Sequence, residues 1–222
     1  KKFILLTNAP RPNLTVINTL KVMGLNKFSE TVFTSGEASL RYILKKLNNK
    51  KFFHLGPPRD FDLFKKFEKD KVNNIDKSDY ILCSGLFEEH ENDLKYYKNF
   101  LLEQISKKMI CTNPDLIVDR GHKREYCAGS IAKSFEEING EVIYFGKPYP
   151  PIYELAAKVK DKKILCIGDN LNTDIKGAMI QNFDSLLITG GIHRQEISNF
   201  SIEKVLKNYD AKINYFQSEL KW

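Results

Sequence analysis

Apolar residues come in short runs along this chain, and each run is followed by a polar stretch of helical length. Runs rich in Ile, Leu, Val and Phe occupy 3–6, 31–34, 51–55, 80–83, 109–111, 142–145, 164–167 and 185–188. Each reads as a strand. Segments 13–23, 37–47, 61–69, 93–107, 128–138, 151–159, 173–181 and 202–208 read as helices, the sixth starting with Pro151 at a first helical position. Alternation of this kind predicts an α/β fold with a parallel sheet and right-handed crossovers.

Several runs end in small or polar residues: "ILLTNAP", "VIYFGKP", "ILCIGDNLNTD" and "LLITGGIH". Ligands of open α/β sheets bind outside the carboxyl ends of the strands, so these ends are expected to converge although far apart in sequence. The middle of the chain has its own strand–helix alternation and no such polar end before "TNPD". It reads as an inserted α/β domain over 38–141, leaving 1–37 and 142–222 as the core.

Composition narrows the function classes. The chain of 222 residues is 42% hydrophobic and 12% aromatic, enough for a sizeable core. No apolar run approaches the roughly 18 residues of a membrane helix, so no membrane partner is expected. The net charge of +7 comes from lysines scattered among acids, without a basic stripe, which argues against nucleic acid. Cys83, Cys111, Cys127 and Cys166 form no C-x-x-C pair and read as buried thiols of a reducing compartment, the cytoplasm.

The chemistry-bearing positions are few. Asp169 and Asp174 would point about 140° apart on one continuous helix. With Asp169 at a strand tip and Asp174 in the next first turn, both can face one point. Two hard oxygen ligands with room for water suit Mg²⁺ better than zinc. The plain alternative is that Asp169 or Asn172 caps the following helix. Lys147, fixed by Pro148 directly after a strand, offers a point charge to a phosphate oxygen or a carboxylate cluster; a surface lysine is the plain alternative. Thr7 and Asn8 end the first strand at a turn able to hold phosphate oxygens, or simply to start a helix, and Arg11 in the same loop is a second anion contact.

Taken in order, Thr-Asn after an apolar strand, then Gly-Lys-Pro, then Gly-Asp-x-x-x-x-Asp resemble the haloacid dehalogenase (HAD) phosphatase superfamily. Its second, third and fourth motifs look like "LLTNAP", "YFGKP" and "GDNLNTD". "VFTSGEA", "TNPD" and "GKPYPPIYELA" are similar to the class IIA, NagD-like branch, and the likeness runs over the whole chain. The resemblance implies a HAD Rossmann-like core with an inserted α/β cap, and Mg²⁺-dependent hydrolysis of small phosphorylated metabolites through an aspartyl-phosphate. Thr7 and Asn8 would hold phosphate, and Lys147 would bind phosphate and the nucleophile as a catalytic residue. Asp169 would be a metal ligand, and Asp174 a ligand through water or a support for Lys147. The cap would select the leaving group, with His54, Arg59, Asp60, Asn113, Asp115 and Arg120 as its candidates and His193 lining the pocket. Homodimers are common in the branch.

One motif of the family has no match. The D-x-D-G that carries nucleophile and general acid–base is expected before "LLTNAP". Asp60 and Asp62 have its spacing but no strand before them, and read as a helix start. The expectation is therefore a piece of a longer protein, with a gap between the second-motif and fourth-motif strands and no turnover by this piece alone. A module that binds a phosphorylated metabolite without catalysis is the competing reading. A flavodoxin-like nucleotide site would need a Gly-rich loop that "TNAPRP" does not supply.

Overall fold

In the computed structural model, which describes residues 3–28, 31–121, 123–156 and 163–221, the chain forms two compact units, one ending at Gly146 and one starting at Lys147. The first contains β1 (Leu5–Thr7), α1 (Asn13–Val22), β2 (Val32–Thr34), α2 (Ser35–Lys46), β3 (Phe52–Leu55), β4 (Lys71–Val72), β5 (Tyr80–Cys83), α3 (Leu94–Leu101), β6 (Lys108–Cys111), β7 (Ile117–Arg120), β8 (Lys123–Tyr126), α4 (Ala128–Glu136) and β9 (Glu141–Tyr144). The second contains α5 (Pro150–Ala156), β10 (Leu165–Gly168), α6 (Lys176–Ile180), β11 (Asp184–Ile188), α7 (Arg194–Asn199), α8 (Ile202–Asn208) and β12 (Tyr215–Gln217). The α/β class read from the sequence is the observed one.

The centre of the first unit is a five-stranded sheet of order β4-β3-β5-β6-β9 in which every pairing is parallel. Successive side chains point to opposite faces, and both faces are covered, as a parallel sheet requires. Ile81, Cys83, Met109 and Cys111 pack under Tyr97 and Leu101 of α3 and Ile131 and Phe135 of α4. On the other face Phe52 meets Phe64 and Phe67 at ring-centroid distances of 5.5 and 5.1 Å. Phe64 joins two 3₁₀ turns, Pro58–Leu63 and Lys65–Asp70, and Phe67 lies in the second, where the sequence predicted one α-helix over 61–69. Asp60 lies in the first turn of Pro58–Leu63, in keeping with a helix start there.

Strand β9 corrects the expected layout. It was expected among the core strands whose polar ends converge, with the domain border before it. It is instead the edge of the five-stranded sheet, paired with β6 from Lys108↔Glu141 to Cys111↔Tyr144. Helix α4 returns the chain to β6, and Val142 and Tyr144 pack on the same apolar cluster as β6. The polar strand ends thus belong to three different sheets: β1 pairs with β2, β9 with β6, and β10 with β11 in the three-stranded parallel sheet β10-β11-β12. Among the described residues β1 and β10 each have a strand partner on one side only.

The second unit has a small core of Leu171, Ile175, Leu187 and Val205, with Ile197, Leu206 and Tyr209 against it. The helix expected over 173–181 is split into a π-helical turn, Leu171–Ile175, and α6. Of the helix expected over 151–159, α5 covers the first part, and 157–159 lie outside the described residues. The antiparallel hairpin β7-β8, the short strands β4 and β12 and helix α7 were not anticipated. All four cysteines are free, Cys166 only partly buried. Among the described residues no helix is long and apolar enough to cross a membrane.

Candidate active site

The motif residues fall into two groups, one in each unit. In the second unit β10 ends at Gly168 and Asp169 follows it directly. The next turn folds back, so that the Asp174 side chain lies over Gly168; a Cβ at 168 would collide with that carboxylate. Asn170, and neither Asp169 nor Asn172, caps the turn: its Oδ1 accepts the Asn172 N–H at 2.9 Å. The cap function the sequence left open for Asp169 or Asn172 is therefore filled by Asn170.

Asp174 is fully engaged. Its Oδ1 accepts from Lys147 Nζ at 2.5 Å and its Oδ2 from the Asn170 N–H at 3.1 Å. The Lys147 and Asp174 side chains are only 16% and 11% exposed, so the ion pair is shielded and oriented, unlike a surface pair. Asp169 differs. Its Oδ2 accepts the Ile192 N–H at 2.9 Å, and Gly191 allows this approach, since a Cβ there would strike the carboxylate. Behind them, burial and then the Asp174 charge push the Cys166 thiol up to about 11, so it stays protonated.

These residues bear on Mg²⁺ in different ways. Asp169 presents a carboxylate fixed through one oxygen, the hard donor such an ion takes. Asp174 fits a support for Lys147 better than a direct ligand, because both its oxygens are already bonded. Among the described residues no group of three or more His, Cys, Asp or Glu side chains stands ready to hold a metal. A site built on Asp169 would take its other ligands from water and phosphate oxygens.

In the first unit Thr7 ends β1 and its Oγ1 accepts the Ala9 N–H at 3.2 Å, forming the tight turn expected there. Asn8 is buried and donates from Nδ2 to Asp115 Oδ1 at 3.0 Å. Asn113 makes the turn that presents Asp115, its Oδ1 accepting the Asp115 N–H at 3.1 Å. Arg11 reaches Asp60 at 3.6 Å and donates to the Arg59 carbonyl at 3.3 Å. Thr7, Asn8, Arg11, Arg59, Asn113 and Asp115 line one cleft of about 370 Å³. Of the six cap candidates, Arg59, Asp60, Asn113 and Asp115 thus share a cleft with the expected phosphate loop. Asp60 is its buried wall; burial raises its pKa against the lowering effect of the Ser84 hydroxyl and Arg11. His54 lies behind it, its Nε2 2.8 Å from Ser84 Oγ, and does not line the cleft. Arg120 ends β7.

His193 is the residue expected to line the pocket. It is buried in the second unit, and its Nε2 accepts the Leu171 N–H at 3.2 Å. A histidine after "TGG" looks like a loop residue in sequence; only the fold shows it reaching back to the Asp169 turn. Asn170 as the cap, and the Asn8–Asp115 bond across more than a hundred residues, were likewise not read from the sequence.

A HAD-hydrolase-like family model matches residues 144–210. Ribonucleotide monophosphatase NagD of Escherichia coli K12 is 24% identical over 196 residues, covering 85% of this chain and 74% of NagD. The crystal structure of a haloacid dehalogenase-like hydrolase from Brucella suis 1330 superposes with a TM-score of 0.82 at 27% identity, covering 98% of this chain and 83% of that one. The p-nitrophenyl phosphatase of Archaeoglobus fulgidus, at 19% identity, shares the fold with a TM-score of 0.72 over 97% of this chain and 83% of its own. With the motif order of the sequence and the α/β architecture, these matches support a NagD-like phosphatase of the haloacid dehalogenase superfamily as what this chain is similar to.

Proposed function

We propose that this chain carries the phosphate- and metal-holding part of a Mg²⁺-dependent phosphatase for small phosphorylated metabolites. The observation that carries the reading is the shielded Lys147–Asp174 pair beside Asp169. A lysine oriented by a shielded carboxylate is suited to receive a dianionic phosphoryl group, whose charge grows on the transferring oxygens. Asp169, turned by the Ile192 N–H, would hold the ion, which when bound supplies Lewis-acid stabilisation of that charge. Thr7 and Asn8 would fix the phosphate oxygens, and the cleft of the first unit would accept the leaving group. The names of the relatives, a ribonucleotide monophosphatase and a p-nitrophenyl phosphatase, support phosphomonoesters as the substrate class.

No D-x-D-G occurs in the 222 residues. The phosphoryl-accepting aspartate and its acid–base partner are not among the residues described, and these 222 residues alone are expected to bind phosphate without turnover. The test is hydrolysis of p-nitrophenyl phosphate by a form that carries a D-x-D-G strand ahead of "LLTNAP". Lys147→Ala and Asp169→Asn should each cost about two to four orders of magnitude in kcat/KM, as loss of a principal charge-stabilising group does. Normal turnover by Asp169→Asn would remove the metal assignment. Binding of phosphate without hydrolysis in that complete form would favour the non-catalytic module.

A further inference from the structure

We infer that His193 is a positioning residue for the metal-side turn, acting as a neutral acceptor that clamps the backbone on the far side of Asp169. The inference rests on the reading of Asp169 as a metal ligand. The turn Asp169–Leu171 is held at two successive points by one loop. The Ile192 N–H fixes the Asp169 carboxylate at 2.9 Å, and the next residue, His193, accepts the Leu171 N–H at 3.2 Å. A backbone N–H at this position has no helical acceptor of its own, because Leu171 opens the π-helical turn.

The histidine is packed on one face, and its buried Nδ1 makes no hydrogen bond among the described residues. Its ring packs edge-on against Tyr209 at 4.8 Å between centroids. Its Nδ1 faces Glu196 Oε2 at 3.5 Å, too long for a good hydrogen bond but on the side where a proton is favoured. The Tyr209 hydroxyl donates to the other Glu196 oxygen at 3.1 Å and so keeps the carboxylate in place. An acceptor at Nε2 requires the proton on Nδ1, and the Glu196 carboxylate favours that tautomer. This is the role outer residues play around metal sites: they orient the ligand-bearing backbone without touching the ion.

The experiment uses the 222-residue chain, with Mn²⁺ as the paramagnetic probe and amide exchange as a readout independent of metal. In the unsubstituted chain the histidine is expected as the Nδ1–H tautomer by ¹⁵N NMR; a proton on Nε2 would overturn the proposal without any variant. His193→Leu should accelerate exchange of the Leu171 amide about tenfold, the effect of losing one buried hydrogen bond. It should also weaken Mn²⁺ broadening at Gly168–Leu171 by about tenfold or more, the usual effect of an outer-residue loss. His193→Gln, whose side-chain oxygen can reach the same N–H, should restore both, which a merely space-filling role would not predict. Retained Leu171 protection in His193→Leu overturns the clamp. Lost protection with unchanged Mn²⁺ binding overturns its link to the site. If His193→Leu does not fold, His193→Gln carries the decision, and loss of Leu171 protection in the folded Gln variant counts against the proposal. Absence of any Mn²⁺ effect in the unsubstituted chain would refute the metal reading itself, and Leu171 exchange would still report on the clamp.

Discussion

The larger parallel sheets of the two units are buried to different extents within these 222 residues. All four residues of β5 are buried, flanked by strands on both sides and by aromatic and aliphatic layers on both faces. No residue of β10 is buried, and Leu165 and Ile167 are 47% and 40% exposed. A parallel strand ordinarily reads as a continuous apolar run because both its faces are covered; β10 has that sequence without that burial. Yet β10 delivers Asp169, and its turn has the denser local hydrogen bonding: Lys147 on Asp174, Asn170 on its own turn, Ile192 on Asp169 and His193 on Leu171. In the first unit packing holds the scaffold. In the second, polar contacts around the turn hold the chemistry.

The largest effect that would test this contrast is a pair of truncations at equivalent strand positions. Ile81→Ala in β5 empties space under Tyr97 and Phe135 and should cost about 2–5 kcal/mol in chemical denaturation. Ile167→Ala in β10 truncates the side chain of a residue that is 40% exposed and should cost under about 1 kcal/mol. Equal costs would mean that β10 is buried in solution and that the contrast between the sheets is false.

Acid should separate the units next. Burial, with Lys71 adding, pushes His54 down to about 4. Between its ordinary 6.5 and that value the unfolded chain takes up a proton that the folded chain refuses, so stability rises with pH across this window. The His54 contribution is complete above about pH 6.5 and falls away toward pH 4, by about 3 kcal/mol at most. Asp60 opposes it, because a carboxyl raised by burial stays protonated in the fold above 3.8, where the unfolded chain ionises. The difference between the parent chain and His54→Gln isolates the histidine. Amide exchange in β5 should lose protection from pH 6.5 to 4.5 in the parent and much less in the variant, while β11 should respond equally in both. An identical pH slope in the two proteins at β5 would place the acid sensitivity elsewhere.

The contrast also explains what could be read in advance. Strands such as "YILC" and helices such as α4 were legible because burial on both faces writes an unbroken apolar run, and helical burial writes its own period. Phe61, Phe64 and Phe67 misled for a geometric reason: a spacing of three suits an α-helix face and a 3₁₀ turn alike. The charged hairpin "IVDRGHKREY" carries no alternation to read. The Lys147, Asp169 and Asp174 trio was legible as motif, with Asp174 read as a ligand through water or a support for Lys147; its bond to the lysine depends on the turn closing over Gly168. The reach of His193 to Leu171 and of Asn8 to Asp115 are tertiary facts with no local signature.

The smallest effect concerns helix caps, where the two units again differ. Thr34 caps α2 from a buried position: its Oγ1 accepts the Glu37 N–H at 2.9 Å and donates to the Arg11 carbonyl at 2.5 Å. Ser201 caps α8 at the surface, accepting the Lys204 N–H at 3.3 Å. Thr34→Ala strands a carbonyl and an N–H away from water and should cost about 2 kcal/mol, the upper end for a cap. Ser201→Ala leaves its N–H open to solvent, which can take the place of the hydroxyl, and should cost about 0.5 kcal/mol. Thermal melts of the two variants measure the ratio. If Ser201→Ala proves the costlier, surface polar contacts in the second unit contribute more than solvent competition allows, and the stability of that unit, like its site, would rest on its local hydrogen bonds and not on its small core.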